Sequence, residues 1–254
     1  MKYRAYLIDL DGTMYKGTEK IPAAADFVRR LKEKGLPYLF VTNNSTQTPE
    51  DVAAKLRGFD IPAEKEQVFT TALATAEFVS ERWPEARVYF TGEEGLARAL
   101  AEKGFPLARE DADVVIIGLD RQVTYEKFAV ACLAIRNGAR FISTNGDVAL
   151  PTERGLMPGN GSLTALVSTS TQKKPIFIGK PEPIIIDMAL KYLGVEKGET
   201  LIVGDNYHTD ILAGINAGID TLLVHTGVTS KDDLARVKIQ PTYSLDSLDE
   251  WELI

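Results

Sequence analysis

A chain of 254 residues with 44% hydrophobic and 26% charged residues has the balance of a soluble globular protein, long enough for one large domain or two modest ones. Its formal net charge of −7 leaves no excess of Lys and Arg to neutralise phosphates, which argues against a nucleic-acid partner. No apolar run approaches a membrane span, the opening Met1-Lys2-Tyr3-Arg4 leaves no room for a signal peptide, and Cys132 is the single cysteine, so a cytoplasmic protein without an intrachain disulfide is expected.

Short apolar runs alternate with helix-length periodic segments nearly from end to end, the pattern of an α/β protein with a largely parallel sheet. Ala5-Tyr6-Leu7-Ile8 reads as a buried strand that delivers Asp9-Leu10-Asp11-Gly12-Thr13 to its C-terminal end. Ala24, Phe27, Val28 and Leu31 mark one face of a helix that Gly35 is placed to stop. Tyr38-Leu39-Phe40-Val41 is a second strand, ending in Thr42-Asn43-Asn44-Ser45. Thr48-Pro49-Glu50-Asp51 then opens a helix as N-cap, N1 proline and acidic first turn, and Val68-Phe69 begins a short third strand. Strands are expected at 87–90, 114–117 and 140–142, with helices at 96–103 and 125–137; Cys132 falls in the second helix as a core residue. The stretch 145–162, rich in Gly and Pro, reads as the longest irregular segment and a candidate binding loop. Beyond Pro175 come a strand at 176–178, a helix at 183–193, a strand at 200–203, a helix to Ala217 and a strand at 221–224.

The chemistry concentrates at strand ends, where open α/β sheets keep their ligand sites. Asp9 and Asp11, two residues apart on an extended chain, are expected to point the same way into one small site. Two carboxylates that close favour a bound cation or a proton held on one of them, and either suits attack on a phosphate ester. An ordinary Asp-Gly turn is the plain alternative. A calcium loop does not fit, since the sixth position counted from Asp9 is Met14 and the twelfth is Lys20. Thr42 and Asn43 offer a hydroxyl and an amide for phosphoryl oxygens, or simply a turn. Lys180, just after Ile176-Phe177-Ile178-Gly179, is either a cation between nucleophile and phosphate or a solvated loop lysine. Asp205, after Leu201-Ile202-Val203-Gly204, can complete an oxygen-rich magnesium shell, while Thr209 and Asp210 can cap the next helix. His208 is a weaker candidate, as a proton donor.

In this order, Asp9-x-Asp11-Gly12-Thr13, Thr42-Asn43, Lys180 and Gly204-Asp205-Asn206-x-x-Thr209-Asp210 resemble the motifs of the haloacid dehalogenase (HAD) superfamily of phosphohydrolases. The likeness spans almost the whole chain and is closest to the NagD-like nitrophenyl-phosphatase branch, of which Thr42-Asn43-Asn44-Ser45 is typical. The resemblance implies a Rossmann-like core with a parallel sheet and an inserted α/β cap of the second type (C2). Roughly 130 residues separate Asn43 from Lys180, far more than one crossover needs, so the cap is expected at 76–174 and the core at 1–75 and 175–254.

The resemblance further implies a magnesium-dependent phosphatase acting on small-molecule phosphomonoesters such as p-nitrophenyl phosphate or sugar phosphates. Asp9 is then the nucleophile that forms an aspartyl-phosphate, and Asp11 the general acid and base. Magnesium is held by the Asp9 carboxylate, the Asp11 backbone carbonyl and Asp205. Thr42, Asn43 and Lys180 bind the transferring group, and Asn206 with Asp210 orders the acid loop, Asn206 also lying within reach of substrate. Within the cap, Asp147 and Asn160 are expected to influence substrate choice. A non-catalytic binder or sensor of phosphorylated metabolites on the same fold is the rival, although a binder has no need of Asp11. The expected partner is a small phosphate ester, not a nucleic acid or membrane, and a homo-oligomer is compatible with the sequence.

Overall fold

The computed structural model describes residues 2–253. In chain order its regular elements begin with Ala5–Ile8 (β1), the small hairpin Tyr15–Lys16 (β2) and Glu19–Lys20 (β3), Pro22–Glu33 (α1), Tyr38–Thr42 (β4) and Pro49–Gly58 (α2). Val68–Thr70 (β5), Thr71–Arg82 (α3), Val88–Thr91 (β6), Glu94–Glu102 (α4), Val114–Ile117 (β7), Tyr125–Arg136 (α5) and Arg140–Ser143 (β8) follow. A second hairpin, Ala149–Thr152 (β9) and Gly155–Pro158 (β10), leads into Asn160–Thr171 (α6) and Ile176–Phe177 (β11). The chain ends with Pro183–Leu193 (α7), Thr200–Gly204 (β12), Leu212–Ala217 (α8), Asp220–Val224 (β13), Lys231–Leu234 (α9) and Tyr243–Leu245 (β14). No helix among the described residues is long and apolar enough to cross a membrane.

Two compact units divide the chain. The first comprises residues 1–42, 49–69 and 180–254, the second 43–48 and 70–179. The second unit contains the whole of 76–174 and adds the short segments that lead into and out of it.

In the first unit a six-stranded sheet has the order β14-β13-β12-β1-β4-β5. β1 pairs in parallel with both β12 and β4, Ile8 lying opposite Val203 and Phe40. The chain builds outward from β1 through β4 and β5 on one side, and from β12 through β13 and β14 on the other. The strand order therefore reverses between β1 and β12, the position at whose C-terminal side open α/β sheets keep their ligands. Both strands are fully buried, as a parallel sheet covered on its two faces requires. Phe27, Val28 and Leu31 of α1 and Val52 and Leu56 of α2 pack into the main apolar cluster with Tyr6, Ile8 and Phe40. Helix α7 starts at Pro183 and stops at a left-handed Gly194, as its sequence signals indicate.

The second unit holds a four-stranded parallel sheet, β11-β8-β7-β6. Its core joins Val115 and Ile117 of β7 to Phe128, Ala131 and Ile135 of α5 and Val167 of α6. Cys132 sits only at the margin of this cluster, half-buried.

The stretch 145–162 is not the irregular loop expected from its Gly and Pro content. Most of it forms the β9–β10 hairpin and the start of α6. Pro151 and Pro158 are tolerated because a two-stranded ribbon has only edge strands. Asn160, expected to influence substrate choice, is 1% exposed and belongs to the core of its unit. Its amide nitrogen approaches Ser143 Oγ at 3.0 Å, Asn145 O at 2.9 Å, Thr144 Oγ1 at 3.1 Å and Ile117 O at 3.2 Å. Two N–H groups are shared among these four acceptors, so the residue pins the ends of β7 and β8 to the start of α6. Replacing it strands buried acceptors. Asn160→Ala is expected to lower stability by about 1–3 kcal/mol, read from the urea midpoint at unchanged slope; an unshifted midpoint would mean that other donors satisfy them.

Candidate active site

The reversal of strand order places the chains leaving β1 and β12 side by side. Asp9 follows β1 directly, its N–H donating to Val203 O of β12 at 2.9 Å, and Asp205 follows β12. Beyond Asp9 the chain turns sharply, with Met14 N donating to Leu10 O at 2.7 Å. Gly12 has φ +90°, and a Cβ there would overlap the Asp205 carboxylate, so only glycine lets the loops from β1 and β12 approach this closely.

Carboxylate oxygens of Asp9, Asp205 and Asp210 lie within 4.8 Å of one another. Lys180 closes the group. Its ammonium, 2% exposed, donates to Asp9 Oδ1 at 2.5 Å, Asp210 Oδ1 at 2.7 Å and Val41 O at 2.9 Å. The solvated-loop alternative for this lysine is therefore set aside. Asp205 accepts from Thr13 Oγ1 at 3.1 Å and from Val228 N at 2.7 Å. Asp210 Oδ2 accepts from Asn206 N at 3.1 Å. Residues Tyr207–Ile211 form a single π-helical turn, a local widening often found at functional sites. It brings Asp210 back under the strand end.

Charge and burial set the protonation of this group. Burial, reinforced by the Asp210 and Asp205 charges, pushes the Asp9 carboxyl well above the usual carboxylate range, against the pull of Lys180. Burial and then the Asp210 charge push Asp205 up to about 6, although Val228 N–H and Thr13 hydroxyl favour its charged form. Burial opposes the charge of Lys180, yet Asp210 and Asp9 outweigh it and hold the ammonium above its ordinary range. Three carboxylates thus share one buried ammonium, a surplus of negative charge that a divalent cation would neutralise. An all-oxygen set of this kind suits a hard divalent cation.

The other expected residues contribute no carboxylate to this cluster. Asp11 is exposed and its Oδ1 accepts from Gly17 N at 3.3 Å, so its carboxylate is outside the three-acid group. Thr42, buried, ends β4. Asn43 belongs to the second unit, where its amide donates to both Asp147 oxygens at 3.2 Å and its carbonyl accepts from Thr71 Oγ1 and Asn145 Nδ2, each at 2.8 Å. Asn206 spends its side-chain oxygen on the N–H of His208 at 3.0 Å, capping the turn, which fits an ordering role better than a substrate contact. His208 is exposed and stacks edge-on with Tyr207. Sequence reasoning passed over Thr13 and Val228 as contacts of Asp205. Thr13 belongs to the Asp9–Thr13 motif, whereas the Val228 contact runs through a backbone N–H that residue type does not reveal.

A family model described as haloacid dehalogenase-like hydrolase matches residues 6–106, and a second, HAD-hydrolase-like, matches 177–251. The chain belongs to the haloacid dehalogenase-like hydrolases. It is 62% identical over 249 residues to the 5'-nucleotidase YutF of Bacillus subtilis, covering 98% of this chain and 97% of that one. It is 55% identical over 250 residues to the acid sugar phosphatase of Staphylococcus aureus, covering 98% and 96%. Among solved structures, a double mutant of the thermostable NPPase from Geobacillus stearothermophilus superposes with a TM-score of 0.95 at 64% identity, over 100% of this chain and 99% of that one. NagD from E. coli K-12 superposes with a TM-score of 0.94 at 35% identity, over the full length of both. This member of the HAD superfamily thus has the α/β fold of its NagD-like branch and is an enzyme of the phosphoric monoester hydrolase class.

The raised Asp205 carboxyl carries a consequence for stability. Asp205 binds its proton more tightly in the folded than in the unfolded chain, so its ionisation weighs against the fold. That penalty is absent below about pH 4, grows with pH, and is complete above about 6. Metal-free Asp205→Asn is therefore expected to be more stable than the parent at pH 7.5, by about 1–3 kcal/mol, with the gap closing as pH falls toward 4. Chemical denaturation in chelator across this range measures it; a gap that does not change with pH would refute the assignment.

Proposed function

We propose that the enzyme is a magnesium-dependent phosphomonoesterase that hydrolyses small phosphorylated molecules through an aspartyl-phosphate on Asp9. The observation that carries this reading is the Asp9 carboxylate itself. It stands at the strand-order reversal, 14% exposed, with one oxygen held by Lys180 and two further acids beside it. Its relatives, named as a 5'-nucleotidase, an acid sugar phosphatase and an NPPase, support a small phosphate ester as substrate.

Lys180 fixes Asp9 Oδ1, which orients the carboxylate and leaves the other oxygen to attack phosphorus. Asp11, exposed beside the loop, gives its proton to the leaving oxygen and then takes one from the water that hydrolyses the aspartyl-phosphate. That second step releases phosphate and restores Asp9. Thr42 binds a phosphoryl oxygen, and Lys180 adds positive charge beside it. Magnesium, held by the Asp9 carboxylate, the Asp11 backbone carbonyl and Asp205, would offset the surplus negative charge and keep Asp9 ionised. Thr13 and Val228 orient Asp205 for this task, and Asn206 and Asp210 hold the turn behind it. The second compact unit is assigned as the cap inserted between the two halves of the core. The absence of disulfide-forming pairs, with Cys132 alone, supports a cytoplasmic setting.

The test is hydrolysis of p-nitrophenyl phosphate. Activity is expected to vanish on chelation, to return with magnesium, and to fall by roughly three orders of magnitude or more in Asp9→Asn, which keeps the size of the side chain and removes the nucleophile. A folded Asp9→Asn protein that kept even a tenth of the parent kcat would sink the assignment.

A further inference from the structure

The loop that follows β13 grips both halves of the acid site. β13 runs parallel to β12 with Leu223 opposite Gly204, so the chain leaving β13 passes alongside Asp205. Val228 N donates to Asp205 Oδ2 at 2.7 Å and Thr229 N donates to Asp205 O at 3.1 Å, holding that residue at side chain and backbone together. Thr229 Oγ1 accepts from Tyr207 N at 2.8 Å, which fixes the start of the π-helical turn. On the other side, Thr226 Oγ1 donates to Gly12 O at 2.5 Å, in the loop from β1. A Cβ on Gly227 would overlap the Asp205 carboxylate and approach Gly12 Cα, so the backbone itself is wedged between the two loops.

His225 braces the base of this loop. Its backbone N–H donates to Leu245 O at 3.0 Å, its Nδ1 lies 3.0 Å from Thr229 O and its Nε2 lies 2.8 Å from Ser244 Oγ. Since a carbonyl can only accept, Nδ1 carries a proton toward Thr229 O, and Nε2 pairs with the serine hydroxyl. The imidazole thereby ties the two ends of the loop to β14.

From these contacts we infer that residues 225–229 set the spacing between the two loops that donate to magnesium, with Thr226 as the positioning residue. The inference rests on the metal reading of the Asp9 and Asp205 cluster. Thr226 touches neither substrate nor metal. It acts through Gly12 O, one peptide from the Asp11 carbonyl, while its neighbour Val228 holds Asp205. Magnesium demands near-octahedral donors at about 2.0–2.1 Å, so a small drift of one loop relative to the other weakens binding steeply. Losing an outer-shell hydrogen bond of this kind commonly lowers metal affinity about 10–100-fold.

Magnesium titrated calorimetrically into the full chain tests this without reference to turnover. Thr226→Val and Thr226→Ala, which remove the hydroxyl, are expected to bind magnesium about tenfold or more weakly than the parent. Their metal-free unfolding temperatures should stay close to the parent's, with a reduced rise when magnesium is added. Thr226→Ser, which keeps the hydroxyl, is expected to bind within about threefold of the parent. Parent-like magnesium affinity in either folded hydroxyl-free variant overturns the inference alone. Failure of both to fold also overturns it, since the contact would then be structural. A parent that does not bind magnesium overturns the metal reading and this inference with it.

Discussion

An ammonium group almost sealed from water is tolerable only where carboxylates and carbonyls meet it, and Lys180 meets such partners from three parts of the first unit. Asp9 comes from the end of β1, Val41 from β4 and Asp210 from the turn after β12. The desolvation penalty for a buried ion is several kcal/mol, and it is offset only if these donors and acceptors are all in register. The parallel pairing of β12, β1 and β4 supplies that register, because their paired residues end level with one another. Packing of the sheet and placement of the charge are therefore one constraint: a slip in either strand pair would leave a buried ion without its partner.

The same arrangement makes the acid site costly in isolation. Asp9, Asp205 and Asp210 face a single ammonium, and burial raises the carboxyls of Asp9 and Asp205. Nothing in folding alone favours gathering three acids at a strand end. Sites of this kind are commonly kept because their task needs them, at some expense of stability. The close approach at Gly12 and the donors from Thr13 and Val228 supply the local support that holds Asp205 in place despite that repulsion.

Much of the first unit was legible in the sequence, because its strands are short continuous apolar runs and its helices carry clear stop signals. The helix Pro183–Leu193 and the strand Tyr38–Thr42 fall where apolar patterning placed them. Elements of the second unit were harder to read for a physical reason. Helix α3 buries Thr71, Ala72, Ala74, Thr75, Ala76, Phe78 and Val79, nearly all round, so it presents no apolar stripe to find. Helix α6 has a buried face of regular spacing, but it consists of Asn160, Thr164, Val167 and Thr171, and a polar stripe does not register as periodic hydrophobicity. Among the candidate site residues, the acids Asp9, Asp205 and Asp210 and the cation Lys180 were accessible from strand-end position and motif order. The contacts from Thr226, Val228 and Thr229 were not, because they run largely through backbone groups or through a hydroxyl on a carbonyl, and residue type says little about either.

The separation of Asp9 from Asp11 is the last physical step in the mechanism proposed for this enzyme. Asp11 is exposed and its Oδ1 accepts from Gly17 N, while Asp9 stays among the buried charges. The two carboxylates then sit in different dielectrics only two residues apart. A nucleophile gains from being held still by Lys180 in a site that admits little water. In the proposed mechanism Asp11, exposed and outside the buried group, gives a proton and takes it back. Two copies of one residue type can thus be assigned opposite tasks by what surrounds each of them.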